Sequence, residues 1–478
     1  MSIDYASLPE HSGFASNTQT SETHAAHQEF ARRQRARLIA VPTDDVKIKQ
    51  QLRERGEPII LFGEGPADRR DRLRYVLSLD QHGGVAEGVM QEDEEDQEEE
   101  YETAGSDALL HARRDLLRYS IPRAQARLAR QRQEQNIPGT RLVAARKAEH
   151  ARLKAFTSQG SQVAADRACS IARFSPDGAW IATGAWSGDV RIFDSTALEQ
   201  TRRTVGHTDK VSGLAWHPQA TLGQSPSALN YISGGGEGDV CLWSLQGSEE
   251  PLARLQGHTG RVARCVFHPS GKYIASASFD GTWRFWDAET TTELLEQEGH
   301  AHEVYALACQ DDGALLASGG LDAIGRVWDL RSGKTIMVLD GHVKPIQGLD
   351  FSPDGYTIVS GSADDTIKVW DVRQVKCTQT LPAHKSLVSD VRFFRYQGQE
   401  TFFTQQGQEG EAPVPRSGTF MASSGYDGAV NIWSTDDWRL IKTLVGPAEK
   451  KVMSVDISGD GTQLCSSGFD RTLRLWSR

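Results

Sequence analysis

The sequence predicts an all-β body of seven similar units, preceded by a polar arm that is partly helical and partly disordered. Three observations predict it. A short pattern ends in an aromatic anchor seven times, at Phe193, Trp243, Trp286, Trp328, Trp370, Trp433 and Trp476, and four of the six spacings are 42 or 43 residues. Ten residues before every anchor stands a hydroxyl: Thr183, Ser233, Ser276, Ser318, Ser360, Ser423 and Ser466. The composition also divides near residue 155, since all 11 Trp and all 6 Cys lie beyond it. Within an anchor segment such as Thr366-Ile367-Lys368-Val369-Trp370, polar and apolar residues alternate as on a strand with two unlike faces. Asp364-Asp365 before it is turn chemistry.

A His precedes most anchors, in Gly-His at His207, His258, His300 and His342 and in Ala-His at His384. Phe-Ser-Pro-Asp-Gly recurs from Phe174 and Phe351, with Phe-His-Pro-Ser-Gly from Phe267 and Trp-His-Pro from Trp216. This pattern resembles the WD-repeat family, whose marks recur at this period. The resemblance implies a seven-bladed β-propeller with four strands per blade over residues 158–478. It also implies a His–Ser/Thr–Asp–Trp hydrogen-bonded tetrad within a blade. Four blades match fully: His258-Ser276-Asp280-Trp286, His300-Ser318-Asp322-Trp328, His342-Ser360-Asp364-Trp370 and His384-Ser423-Asp427-Trp433. Blade one lacks the His and the Asp, and the last blade lacks the His, with Pro447 nearby. A Ser, His and Asp together invite a catalytic reading. Fourfold repetition argues instead for a structural network, because a buried network must be satisfied wherever it recurs. No Gly-x-Ser-x-Gly elbow, P-loop, HExxH motif or CxxC pair occurs, so neither an enzyme nor a bound metal or cofactor is expected.

The chain as given stops at Trp476-Ser477-Arg478, in the third strand of the last blade. An open edge is a liability, so Ser158–Val163 is expected to supply the missing fourth strand. Extra residues in the two long spacings fall between first and second strands, in Gln219–Leu229 and Tyr396–Gly418, and read as solvated loops. The Gly-His and Asp turns share one face of the ring. Aromatic or apolar residues precede the tetrad carboxylate position there: Trp186, Phe279, Leu321, Tyr426 and Phe469, with Lys210, Arg261 and Tyr305 beside them. Aromatics are enriched in interface cores, so a partner-binding face is expected, with local packing as the alternative.

The arm is ordered by charge. Residues 1–38 are Gln-, Ser-, Thr- and His-rich and read as disordered. His11, His24 and His27 have no ligand companions, and Arg32–Arg37 is a weak basic cluster. Residues 39–82 form a helix–loop–helix module. Thr43 can cap a helix with Asp44 and Asp45 in its first turn, Ile48 and Leu52 lie four apart, and Gly56 ends it. A second run from Ala67 to Leu79 carries Leu73, Val76 and Leu77. Residues 83–104 form an acidic linker, and Glu92–Glu102 alone holds nine acids. Residues 105–157 are basic and helical. Leu109, Leu110, Leu116 and Leu117 are read as one apolar side, and Pro122 and Pro138-Gly139 as breaks. Arg113, Arg114, Arg118, Arg123, Arg127 and Arg130 are candidates for RNA phosphate, with a solvated or acid-paired helix as the alternative.

Val41-Pro42-Thr43-Asp44-Asp45-Val46, Gly56-Glu57-Pro58-Ile59, Leu61-Phe62-Gly63-Glu64 and Arg69-Arg70-Asp71-Arg72-Leu73 resemble the splicing-factor motif of the pre-mRNA-processing factor 4 family. So do Asp166-Arg167 and Ala185-Trp186-Ser187-Gly188 of the first blade, and the order of motif, charged helices and propeller. The resemblance implies a non-enzymatic scaffold of the nuclear U4/U6 small nuclear ribonucleoprotein and of its tri-snRNP. Its implied partners are a pre-mRNA-processing factor 3-like protein, other tri-snRNP proteins and, in many members, a cyclophilin-type prolyl isomerase, beside the U4/U6 RNA duplex. Pro58, Ile59, Leu61, Phe62, Gly63 and Glu64 are the expected docking residues of the motif. The alternative is a propeller adaptor of another complex, such as a ubiquitin-ligase receptor, and the motif at Gly56–Glu64 favours the first. The formal charge of −11 disfavours a whole-protein grip on nucleic acid, yet residues 103–155 carry 12 basic against 4 acidic side chains. No run approaches the length of a membrane span, and Met1 to Leu8 has neither the basic start nor the apolar core of a secretory leader.

Overall fold

A computed structural model describes residues 41–42, 45–56, 58, 65, 69–70, 72–74, 76–77, 105–136, 138–246, 249–397, 416–446 and 450–478. The expected disordered tail, the acidic linker and the Tyr396–Gly418 insert between 398 and 415 lie outside these residues. So do Thr43, Asp44, Pro447 and the motif residues Ile59, Leu61, Phe62, Gly63 and Glu64. The chain divides into two compact units, residues 1–103 and 104–478.

In the first unit, helix α1 spans Asp45–Glu54. It stops at Gly56, whose φ of +75° is the left-handed conformation that glycine adopts without strain. Ile48, Leu52 and Leu73 are buried together, with Val41 and Leu77 against them. Pro58 is exposed.

The second unit is a ring of seven four-stranded antiparallel sheets. The first strand of each blade packs against its counterparts in the neighbouring blades, which places it at the axis. Closure joins the two ends of the ring. The first strand in the chain (Thr157–Val163) pairs antiparallel with the last (Thr472–Ser477) and completes blade seven.

Close blade contact explains why the residue after each tetrad hydroxyl is small. A Cβ on Gly184, Gly234, Gly319 or Gly361 would meet Val211, Val262, Ile346 or Val388 of the next blade at 2.6–2.8 Å. Protein interiors at this density leave no room for that atom. A β-bulge follows the first residue of every axial strand. Bulges re-aim side chains. In blade four the skipped residue is Tyr305, with the Arg264 guanidinium 5.3 Å from its ring centre.

Two helices precede the ring. Helix α2 runs Asp107–Glu134, capped by the Ser106 hydroxyl on the Leu109 amide, and α3 runs Gly139–Lys154. Two expectations fail here. Pro122 does not break α2, because it stands on the exposed side, where losing one amide donor displaces no packing. The apolar side is not all four leucines. Leu109, Ala112, Leu116 and Ser120 are buried, whereas Leu110 and Leu117 are 47% and 46% exposed. Residues one apart sit about 100° apart round a helix, so only one of the two leucine rows can face the ring.

Candidate interaction surfaces

The tetrads hold each blade together. In blade five the Trp370 indole N–H donates to Ser360 Oγ at 2.8 Å, Ser360 bonds His342 Nε2 at 2.7 Å, and His342 Nδ1 bonds Asp364 at 2.8 Å. Blades three, four and six repeat the geometry within 0.4 Å. Burial lowers the pKa of His342 and outweighs its carboxylate neighbour, so the ring is neutral at pH 7. Burial alone would raise Asp364, but hydrogen bonds from Thr366 and His342 override it and hold the carboxyl at about 2. The directions therefore agree: Trp donates to Ser, Ser to His, and His to Asp. The four serines are 0% exposed, so no substrate reaches them.

Blade two carries a fifth complete set that the sequence reading missed. Glu237 replaces Asp and meets His207 Nδ1 at 2.5 Å, while His207 and Trp243 bond Ser233 at 2.7 Å each. In blade seven, which lacks the His, Arg474 reaches Asp470 at 2.5 Å, and Trp476 still donates to Ser466. In blade one Arg191 bonds Asp189 at 2.7 Å and Asp166 at 2.9 Å.

On the face that carries these turns, the predicted aromatics gather with cations. Trp186 and Phe469 meet edge to face at 5.5 Å, and Lys210 lies 4.7 Å over Trp186. Arg261 lies 5.4 Å from the Phe279 ring and Lys451 4.9 Å from that of Tyr426. Phe279 also meets Tyr305 at 6.2 Å. Burial pushes the Tyr426 hydroxyl up to about 12, with Tyr305, Arg264 and Arg261 close enough to act on it. Leu321 is partly buried and Phe469 is 49% exposed. Local packing and an open aromatic surface thus coexist. Lys451 is not visible in the sequence beside Arg261 and Arg264, since it stands before the first strand of blade seven while they stand at the first strand of blade three.

The opposite face, formed by turns between first and second strands and between third and fourth, carries α2 and α3. Leu109, Ala112 and Leu116 pack with Tyr273, Phe285 and Leu294 of blade three and Trp328 and Leu330 of blade four. Tyr119 meets His268 at 5.3 Å. Arg127 Nε bonds Asp312 at 2.7 Å, and its Nη1 donates to the Asp354 carbonyl at 2.9 Å. Arg416 of blade six bonds Glu134, Arg146 bonds Asp436, and Arg478 bonds Glu149 at 2.8 Å. The helices therefore strap blades three to seven. Arg127 is spent on this strap rather than presented to solvent. Arg113 is held at the turn of Gly333, where a Cβ would lie 2.4 Å from its Nη2. Arg130 faces a groove between the helices and blades five and six. Arg114, Arg118 and Arg123 stay exposed, with Arg118 near Asp115 at 3.6 Å and Arg123 4.5 Å over the Tyr119 ring.

Two family models match. One, described as WD domain, G-beta repeat, covers 156–194, 198–244, 249–287, 291–329, 333–371 and 438–477. The other, pre-mRNA processing factor 4 (PRP4) like, covers 48–76, across α1 and Leu73. That second match, ahead of the ring, decides among WD-repeat proteins. The chain belongs to the pre-mRNA processing factor 4 family. An uncharacterised WD repeat-containing protein of Schizosaccharomyces pombe is 43% identical over 270 residues, 54% of this chain and 56% of that protein. The U4/U6 small nuclear ribonucleoprotein PRP4 of Saccharomyces cerevisiae is 32% identical over 301 residues, 60% of this chain and 62% of its own length. The human U4/U6 small nuclear ribonucleoprotein Prp4 is 41% identical over 208 residues, 41% of this chain and 39% of that protein. The chain thus spans between about two fifths and three fifths of these relatives' length. No helix among the described residues is long and apolar enough to cross a membrane. The six cysteines are free thiols, four of them buried.

Proposed function

We propose that this family member is a non-enzymatic scaffold of the nuclear U4/U6 small nuclear ribonucleoprotein and the U5-containing tri-snRNP. The observation that carries the reading is the family match at 48–76 joined to a propeller whose relatives bear the U4/U6 name. In this reading Pro58, Ile59, Leu61, Phe62, Gly63 and Glu64 dock a pre-mRNA-processing factor 3-like protein. The turn face with Trp186, Phe279, Leu321, Tyr426, Phe469, Lys210, Arg261 and Tyr305 holds further subunits, a cyclophilin-type prolyl isomerase among the candidates.

The RNA contact belongs to the exposed arginines of α2, because Arg127 is bonded to the ring and Arg113 lies against the turn of Gly333. Arginine grips phosphate bidentately, and each released counterion adds to the salt dependence. Changing Arg114, Arg118 and Arg123 together to Glu should reduce the slope of log affinity against log salt by about two to three, measured on a U4/U6 duplex. Unchanged affinity and slope would remove RNA contact from α2. The melting temperature should stay near that of the parent, since none of the three side chains is buried.

A further inference from the structure

The axial channel opens, on the face carrying α2, into a cavity of about 320 Å³. Its two walls differ. Phe174, Trp216 and Phe267, with Pro176, Pro218 and Pro269, form an apolar collar from blades one to three. The facing wall is charged and holds three guanidiniums, two of which are held in place by hydrogen bonds from their terminal nitrogens. Arg173 donates to Asp390 at 2.9 Å, to Ser454 and to the Ala172 and Val455 carbonyls. Arg395 donates to Asp311 and to both Asp350 oxygens at 2.8–2.9 Å, and to the Phe351 carbonyl.

Arg392 is the exception. Its nearest carboxylate oxygen, on Asp390, lies 3.9 Å away, beyond hydrogen-bond reach. Its Nε is buried without a partner, as is that of Arg173, but Arg173 bonds through both terminal nitrogens, and the Arg392 side chain is 18% exposed, towards the cavity it lines. A buried charge of this kind is costly unless its donors are met. Burial and the like charge of Arg173 both press its pKa down, which is what an under-compensated cation shows.

We propose that this cavity is a binding site for a single carboxylate on an apolar body, presented by a partner peptide, with Arg392 as the fork that takes both carboxylate oxygens. The planar fork matches a carboxylate, and the collar matches a ring or branched chain beside it. A dianionic phosphate fits less well, because Asp350 and Asp390 stand next to Arg392 and repel a second negative charge.

The test uses the full chain and calorimetric or ligand-observed NMR titration at millimolar concentration. The probes are phenylacetate, its uncharged amide, phenyl phosphate, and two short N-terminally acetylated peptides. One peptide ends in a free Phe carboxylate and the other carries an internal Phe-Glu. Phenylacetate and one of the peptides should bind, and the amide should bind at least tenfold more weakly. Preference for the free C-terminus or for the internal Glu identifies which carboxylate the site takes. Arg392→Gln should reduce binding about tenfold or more, and Arg392→Lys less. Should Arg392→Gln fold poorly, Val266→Glu, which places a carboxylate on the cavity wall, should abolish binding in its place. Equal binding of acid and amide, no binding of any carboxylate, or binding unchanged in these variants would overturn the proposal. So would tighter binding of phenyl phosphate that survives Arg392→Gln.

Discussion

Ser360 shows how much one hydroxyl can carry. It is fully buried, accepts from Trp370 and serves His342. Ser360→Ala would strand two buried polar groups, so it should cost about 3 kcal/mol in denaturant unfolding. Thr183, in one of the two blades without a His, bonds only the Arg191 carbonyl, at 3.2 Å. Thr183→Ala should cost about 1 kcal/mol. Equal losses would mean the tetrads are ornament. Acid sensitivity is a second residue-scale consequence. Burial lowers the His268 pKa to about 4 from 6.5, overriding its bond to the Gly313 carbonyl. The unfolded state therefore takes up the proton first. Stability from this neutral side chain is complete above pH 6.5 and is lost as pH falls towards 4, by about 3 kcal/mol. Unfolding free energies at pH 7 and 4.5 should differ by less in His268→Phe than in the parent. The tetrads were legible in the sequence because their members sit at fixed offsets. Glu237 stands at the carboxylate offset in the sequence, but the family tetrad names Asp, so blade two does not count as a match there. The Arg474 bond to Asp470 could not be read, since an Arg stands two residues before the anchor in blades one, three and four as well, at Arg191, Arg284 and Arg326.

At the scale of elements, α2 is a strap whose register follows from tertiary packing. Leu109 and Leu116 form one row and Leu110 and Leu117 another, each seven residues apart, so periodicity alone does not choose between them. The ring chooses by offering Tyr273, Phe285 and Trp328 to the first row. Leu116→Ala should cost about 2–4 kcal/mol and Leu117→Ala under about 1 kcal/mol. A thermal melt of the two variants separates these outcomes, and similar melting would mean that α2 does not hold the ring. The same packing recasts the arginine series. From sequence it reads as one basic surface. In the fold Arg127 pairs with a buried Asp312, and removing it would leave that carboxylate uncompensated. Arginine substitutions that include Arg127 therefore report on the strap as well as on the proposed RNA contact.

The whole molecule is organised by charge and by closure. Residues 83–102 carry ten acids and no base, and the stretch to residue 155 is strongly basic. The ring is closed by the strand that directly follows the basic helices, so strap, closure and propeller are one folding unit. Family, fold and blade number were readable because repeats write themselves into a sequence at constant spacing. The channel was not, because Arg173, Asp350 and Arg392 meet only when the ring closes. The central claim is that the chain is a U4/U6 scaffold which docks its partner through Leu61 and Phe62. The most direct measurement is affinity purification of the tagged full chain from its own cells, beside the double variant Leu61→Asp with Phe62→Asp, followed by RNA and protein identification. The account predicts U4 and U6 RNAs with a pre-mRNA-processing factor 3-like protein on the parent chain, and loss of that protein from the variant while its propeller melts unchanged. A different stable complex without U4 and U6 RNAs would contradict it.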